Sequence, residues 1–163
     1  TDALTHLSNR RDFHEHAQAE IARSRRSAKP LSLLMLDLDH FKQVNDRHGH
    51  AVGDTALREL AEALRHALRE VDLPARLGGE EFVALLPETA LQDALDVAER
   101  LRQHIESLEI ALAPPSPPLR LTVSIGVAEL AADDRSHEDL MRRADEALYV
   151  AKREGRNRVV AAS

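Results

Sequence analysis

Leu31 to Leu36 reads LSLLML, an apolar run broken only by Ser32, and it stops at Asp37-Leu38-Asp39. Strand residues point alternately to opposite faces, so a run this apolar must be covered on both sides. It therefore predicts a central strand with helices on either face, ending where two carboxylates begin.

The rest of the chain supplies those layers. Thr1 to Arg26 reads as a turn and then an amphipathic helix, closed by the basic cluster Arg23, Arg25 and Arg26, which is expected to be a solvated helix end favoured by the helix dipole. His40 to His48 reads as a short helix stopped by Gly49, and Val52 to Arg69 as a longer one with Leu57, Leu60, Ala61, Leu64 and Leu68 on one face. Pro74 to Leu77 and Phe82 to Leu86 form a hairpin with Gly78-Gly79-Glu80-Glu81 at its tip. Leu91 to Leu108 is a further helix, and Pro114, Pro115, Pro117 and Pro118 force an extended linker. Leu119 to Ala128 then reads as a strand, Ser136 to Glu154 as a helix with Ser136 as N-cap and Gly155 as its stop, and Arg158 to Val160 as a last short strand. The fold class is α/β, an α+β sandwich whose mostly antiparallel sheet is flanked by helices.

At 163 residues, 43 % of them hydrophobic, the chain suits one well-packed domain. The absence of cysteine excludes a disulfide framework and thiolate chemistry and fits a reducing compartment, so the expected location of the domain is cytoplasmic. A net charge of −6 argues against a general nucleic-acid binder. No apolar run reaches membrane-spanning length. Because the chain begins at Thr1, it is expected to be excised from a longer protein, whose other segments would carry any membrane anchor.

Asp37 and Asp39, held at the end of a rigid strand, are the oxygen ligands a hard cation such as Mg²⁺ requires, although Asp39 also suits the cap of the next helix. A hairpin pairing beside the first strand would bring Glu80 or Glu81 to the same ion. Gly78 and Gly79 fit such a tip, since they let backbone approach a ligand or adopt positive φ. Lys42, Lys152 and Arg156 are candidate phosphate partners.

RLGGEEF, with LDLDHFKQVNDRHGHAVGD upstream, LTVSIGVA and ADEALYVAKREGRN downstream and LTHLSNRRDF at the start, resembles the GGDEF domain of bacterial diguanylate cyclases over essentially the whole chain. The resemblance implies a fold like adenylyl cyclase cores and polymerase palms, and the condensation of two GTP into cyclic di-GMP with release of two pyrophosphates. It implies that Asp37, the Leu38 carbonyl and Glu80 hold Mg²⁺, or Mn²⁺ in its place, and that Glu81 helps activate the 3′-hydroxyl. Asn45 and Asp54 match guanine-reading positions, with Asp54 also a good helix N-cap. Lys42, Lys152 and Arg156 match triphosphate contacts, and His50, Gly78 and Gly79 belong to the same substrate site. Since each 3′-oxygen must attack the other nucleotide, the catalytic species is a homodimer. Arg69 and Asp72 match the family's RxxD inhibitory site for cyclic di-GMP, with Arg100 as a secondary contact. An upstream sensory or receiver domain would control assembly.

His6 replaces the glycine usual in the opening turn, His40 a common aromatic and Leu77 another. The nine histidines are expected at the surface or in turns. His14 and His16 lie two apart on a helix, facing different sides, so no zinc site is expected. Three functions compete: an active cyclase, a silent sensor of GTP or cyclic di-GMP, and a structural dimerisation domain. A polymerase or adenylyl cyclase shares the metal logic but should lack the guanine set and the RxxD element.

Overall fold

The computed structural model describes residues 1–163. Helix α1 (Arg10–Ser27), β1 (Leu31–Leu38), α2 (Phe41–His48), α3 (His50–Ala67), β2 (Leu73–Gly78), β3 (Glu81–Pro87), α4 (Leu91–Ser107), β4 (Val123–Glu129), α5 (His137–Arg153) and β5 (Val159–Ala161) follow in that order. The strands form one sheet in the order β2-β3-β1-β4-β5, antiparallel except for the parallel β4–β5 pair.

Every residue of β1 is buried, as its continuous apolar pattern requires, and its alternation divides the core. Leu34, Leu36 and Leu38 join Phe82, Ala84, Val123, Ile125 and the apolar faces of α3 and α4. Leu31, Leu33 and Met35 face the other way, onto Phe13, Ala17 and Ile21 of α1 and Leu140, Ala144 and Leu148 of α5. Each fully buried leucine contributes about 1.5–3 kcal/mol. Asp37 continues the second set and so points to the α1/α5 side.

The close approach of α5 to the sheet depends on Gly126, where a Cβ would lie 2.1 Å from the Ala144 carbonyl oxygen and 2.4 Å from the Leu148 nitrogen. Four expectations need correction. The last long strand begins at Val123 rather than Leu119, because Leu119 pairs instead with Ile110 through two backbone hydrogen bonds of 2.8 and 2.9 Å across the proline loop. Helix α3 starts at His50, since Gly49 at φ +90° turns the chain directly from one helix into the next. Ser136 does hold the N-cap position of α5 but makes no side-chain bond there, and the free amide of Arg135 is taken by Asp139 at 2.7 Å. The basic end of α1 is not wholly solvated either, because Arg25 donates to the Asp134 carbonyl.

His6 does adopt the positive φ, 62°, for which glycine is the natural residue, yet the opening turn forms. It is closed by the Asp2 carboxylate accepting from the Thr5 amide at 2.8 Å and hydroxyl at 2.7 Å. No helix is long and apolar enough to cross a membrane.

Gly126→Ala should lower stability by about 2 kcal/mol or more, because backbone rather than a flexible side chain occupies the space. An unchanged midpoint in chemical denaturation would show that α5 can move off the sheet without cost.

Candidate functional site

β3 pairs with β1 in a register that sets Glu81 directly opposite Asp37, with Ser124 opposite on the other side. Opposed residues of an antiparallel pair project to the same face, so Asp37 and Glu81 share the α1/α5 side. Glu80 occupies the turn just before them. Two acidic clusters far apart in sequence thus meet at one end of the sheet. The turn carries Gly78 at φ +143° and Gly79 at +50°, conformations closed to most side chains.

Arginines hold the hairpin in place. Arg76 donates to the Gly79 carbonyl at 3.0 Å and to both Asp2 oxygens at 3.2 and 3.3 Å, while Arg10 of α1 donates to the Leu77 carbonyl at 3.2 Å. Neither arginine was expected in this role; a charged residue within β2 was the available signal. Leu77 itself is buried in the α1/α5 layer.

Asp37 is 6 % exposed. Its Oδ2 pairs with the Lys152 ammonium of α5, while its Oδ1 is buried without any partner. Burial pushes the Asp37 carboxyl up to about 6; Lys152 pulls it down, and Glu80 and then Glu81 push it further up. An orphaned carboxylate oxygen facing two more carboxylates is a donor set deficient in positive charge. It fits a hard divalent cation.

Asp39 behaves differently from its neighbour. It caps no helix, because His40 takes the N-cap position of α2 without a side-chain bond. Its carboxylate accepts from the Thr122 and Ser124 hydroxyls, each at 2.6 Å, and from the Asn157 amide at 3.0 Å. Asp39 is therefore a brace joining β1, β4 and the turn after α5. The signal was Thr122 and Ser124, two apart in the strand and so on one face.

The Asn45 side chain on α2 lies against Gly53 of α3, and its Oδ1 is buried without a partner. A Cβ on Gly53 would come within 1.9 Å of that oxygen, so the glycine exists at this position as room for the amide. Asp54, next to it, lies inside α3 and is partly exposed; Gly49, not Asp54, holds the N-cap. The helix-cap reading of Asp54 is set aside, and its side chain is left partly exposed on α3. Lys42, His50 and Arg156 are exposed, Leu38 ends β1 with its side chain buried on the opposite face, and Lys152 alone among the proposed cations touches the acidic centre.

The RxxD residues form a separate, closed unit in the turn between α3 and β2. The Asp72 carboxylate accepts from the Arg69 amide at 2.8 Å, Nε at 3.3 Å and Nη2 at 2.8 Å. Arg69 Nη2 also donates to the Pro87 carbonyl at 2.7 Å and the Thr89 hydroxyl at 2.9 Å. Asp72 holds the Arg69 guanidinium pKa up. Arg100 is exposed on α4 and is not joined to this pair.

The histidines do not all lie at the surface. His137 is 2 % exposed at the start of α5, and its Nε2 meets His14 Nδ1 at 2.7 Å.

Ionised Asp37 destabilises the metal-free fold, since its folded pKa of about 6 exceeds the ordinary value of 3.8. That cost is complete above pH 6 and vanishes as the pH falls towards 4. Asp37→Asn should accordingly stabilise the metal-free domain at pH 8 by on the order of 1–2 kcal/mol, allowing for screening, and by almost nothing near pH 4. Denaturation without divalent ions at both pH values checks this, and a loss of stability at pH 8 would contradict it.

Residues 1–158 match the family described as "Diguanylate cyclase, GGDEF domain". Response regulator PleD of Caulobacter vibrioides is 45 % identical over 160 residues, 98 % of this chain and 35 % of PleD. Diguanylate cyclase DgcM of Escherichia coli is 45 % identical over 161 residues, 99 % of this chain and 38 % of DgcM. The chain thus spans little more than a third of each of these curated relatives. The GGDEF domain of DgcB from Caulobacter crescentus, solved in complex with c-di-GMP, superposes with a TM-score of 0.95 at 36 % identity, covering 100 % of this chain and 93 % of that one. By these matches, the chain belongs to the GGDEF family.

Proposed function

We propose that this domain is a diguanylate cyclase that joins two GTP molecules into cyclic di-GMP and releases two pyrophosphates. The observation that carries the reading is the convergence of Asp37, Glu80 and Glu81 at one end of the β1–β3 pair, with one buried Asp37 oxygen left unpartnered. Asp37, the Leu38 carbonyl and Glu80 would hold Mg²⁺, or Mn²⁺ in its place. The ion supplies Lewis-acid stabilisation of charge at the α-phosphate.

The chain's own groups do the rest. Glu81 takes the proton of the 3′-hydroxyl as that oxygen forms a bond to the α-phosphorus of the second nucleotide, and the bond from that phosphorus to the bridging oxygen breaks to release pyrophosphate. Lys152, already at the acidic centre, binds the phosphates together with the exposed Lys42 of α2 and Arg156 just after α5. His50, Gly78 and Gly79 line the substrate's approach, the glycines by leaving backbone accessible. Guanine is selected by acceptors: the Asp54 carboxylate takes N1–H and N2–H, and the unpartnered Asn45 Oδ1 offers a further acceptor. Adenine has no N1–H, and a buried acceptor left unpaired costs about 1–3 kcal/mol.

Each domain offers one such half-site, and a ring of two nucleotides needs two facing each other, so the working species is a homodimer. Its assembly is set by a sensory or receiver domain upstream of this one. Product returns to Arg69 and Asp72, with Arg100 from a neighbouring subunit as a secondary contact; arginine stacks on guanine and grips phosphate while aspartate takes the guanine edge. Occupation of that site requires the Arg69–Asp72 pair to open.

Chromatography of the purified domain after incubation with GTP and Mg²⁺, beside ATP and chelator controls, tests the reading. Cyclic di-GMP should appear from GTP alone, and Glu80→Gln should lower its rate by about 10²-fold or more with an unchanged melting temperature. Full activity in that variant would overturn the metal assignment. GTP binding without any product would favour the sensor reading instead. In the same assay Arg69→Ala should raise the cyclic di-GMP concentration needed for inhibition by about tenfold, and an unchanged value would make the RxxD match accidental.

A further inference from the structure

His137 is an unusual residue to find buried. Its Nδ1 is enclosed without a partner, so hydrogen bonding at both ring nitrogens does not account for its place in the core. The other nitrogen is crowded: Nε2 lies 2.7 Å from His14 Nδ1 on α1 and 3.1 Å from the Glu138 carboxylate. The ligand atoms of the three side chains all lie within 4.8 Å of one another.

Two facing imidazole nitrogens can share one proton at most, and Glu138 competes for the same one. Charging His137 would relieve the conflict, but burial holds its pKa below the ordinary value, with Glu138 acting the other way and His14 adding to the depression. The result is a set of electron-pair donors short of an acceptor. We infer that His14 Nδ1, His137 Nε2 and the Glu138 carboxylate form a second metal site, for a borderline divalent ion of the zinc class, separate from the acidic centre at the end of the β1–β3 pair.

Ligand chemistry sets the class. Imidazole suits zinc and its first-row neighbours, whereas Mg²⁺ prefers the all-oxygen set at Asp37 and Glu80. Two nitrogens bound at about 2.0–2.1 Å to one tetrahedral ion stand about 3.3 Å apart. The 2.7 Å contact therefore has to open by a fraction of an ångström, which the partly exposed His14 can supply. His14 and Glu138 also line an open groove of about 360 Å³, with Arg10, Glu81 and Asp145, from which solvent would reach an ion held by the three side chains.

The site would couple elements that bear on catalysis. Helix α1 holds the hairpin through Arg10, and α5 carries Lys152 to Asp37. An ion shared by His14 and His137 clamps these helices together on the Asp37 face.

Calorimetric titration of the untagged domain with Zn²⁺, together with melting curves at rising Zn²⁺, tests the assignment. One ion should bind per chain with a dissociation constant below about 100 μM and raise the melting temperature. His14→Ala and His137→Leu should each weaken that binding at least about tenfold and remove the thermal shift, while His16→Ala, at an exposed position of α1, leaves both intact. Here His137→Leu keeps the core filled and His14→Ala lies at the surface, so loss of the fold cannot mimic loss of the site. Absence of saturable one-to-one binding, or binding in both histidine variants as tight as in the parent domain, overturns the inference.

Discussion

A carboxylate at the end of a strand buried on both faces must find compensation, and Asp37 finds it at only one oxygen. Lys152 answers Oδ2, nothing in the chain answers Oδ1, and two glutamates face the same point. Most features around the site can be understood as holding this unfavourable arrangement still. Asp39 ties the strand end to β4 and to the turn after α5, Arg76 fixes the hairpin tip to the opening turn, and Gly126 lets α5 approach closely enough for Lys152 to reach across. Rigidity here has a cost in stability that the surrounding core offsets.

The parity of β1 organises both metal proposals. Its even-numbered leucines build the layer with α3 and α4, next to which Asn45 packs against Gly53. Its odd-numbered residues face α1 and α5, and the same side holds Asp37, Glu81 and the cluster of His14 and His137. A shift of one residue in the β1–β3 register would move Glu81 to the other face and dismantle the acidic centre.

Much of this was legible because it is local. A continuous apolar run predicts a strand covered on both faces, and paired glycines before an apolar run predict a hairpin tip; both features are present where expected. The convergence of Asp37 with the hairpin followed from these two readings together. What escaped depends on contacts across the chain. Asp39 binds hydroxyls 83 and 85 residues away and an amide 118 residues away, so its local surroundings suggested a helix cap. His14 and His137 are 123 residues apart, and no spacing rule joins them. Gly53 lies inside a predicted helix with no local sign of its role, which is to leave space for Asn45.

The closed RxxD pair shows why a motif match and a site differ in energy. Asp72 is almost wholly enclosed and saturated by Arg69, while Arg69 is anchored to the end of β3 through Pro87 and Thr89. A guanine base arriving here must replace bonds already made, so the net gain is the difference between two good arrangements. Arg69 remains 54 % exposed, which leaves one face of its guanidinium open for stacking before the pair separates. The self-paired state competes with any such ligand. The same pair connects the end of α3 to the end of β3, the strand that carries Glu81. Its opening therefore acts on the element that bears the acidic hairpin.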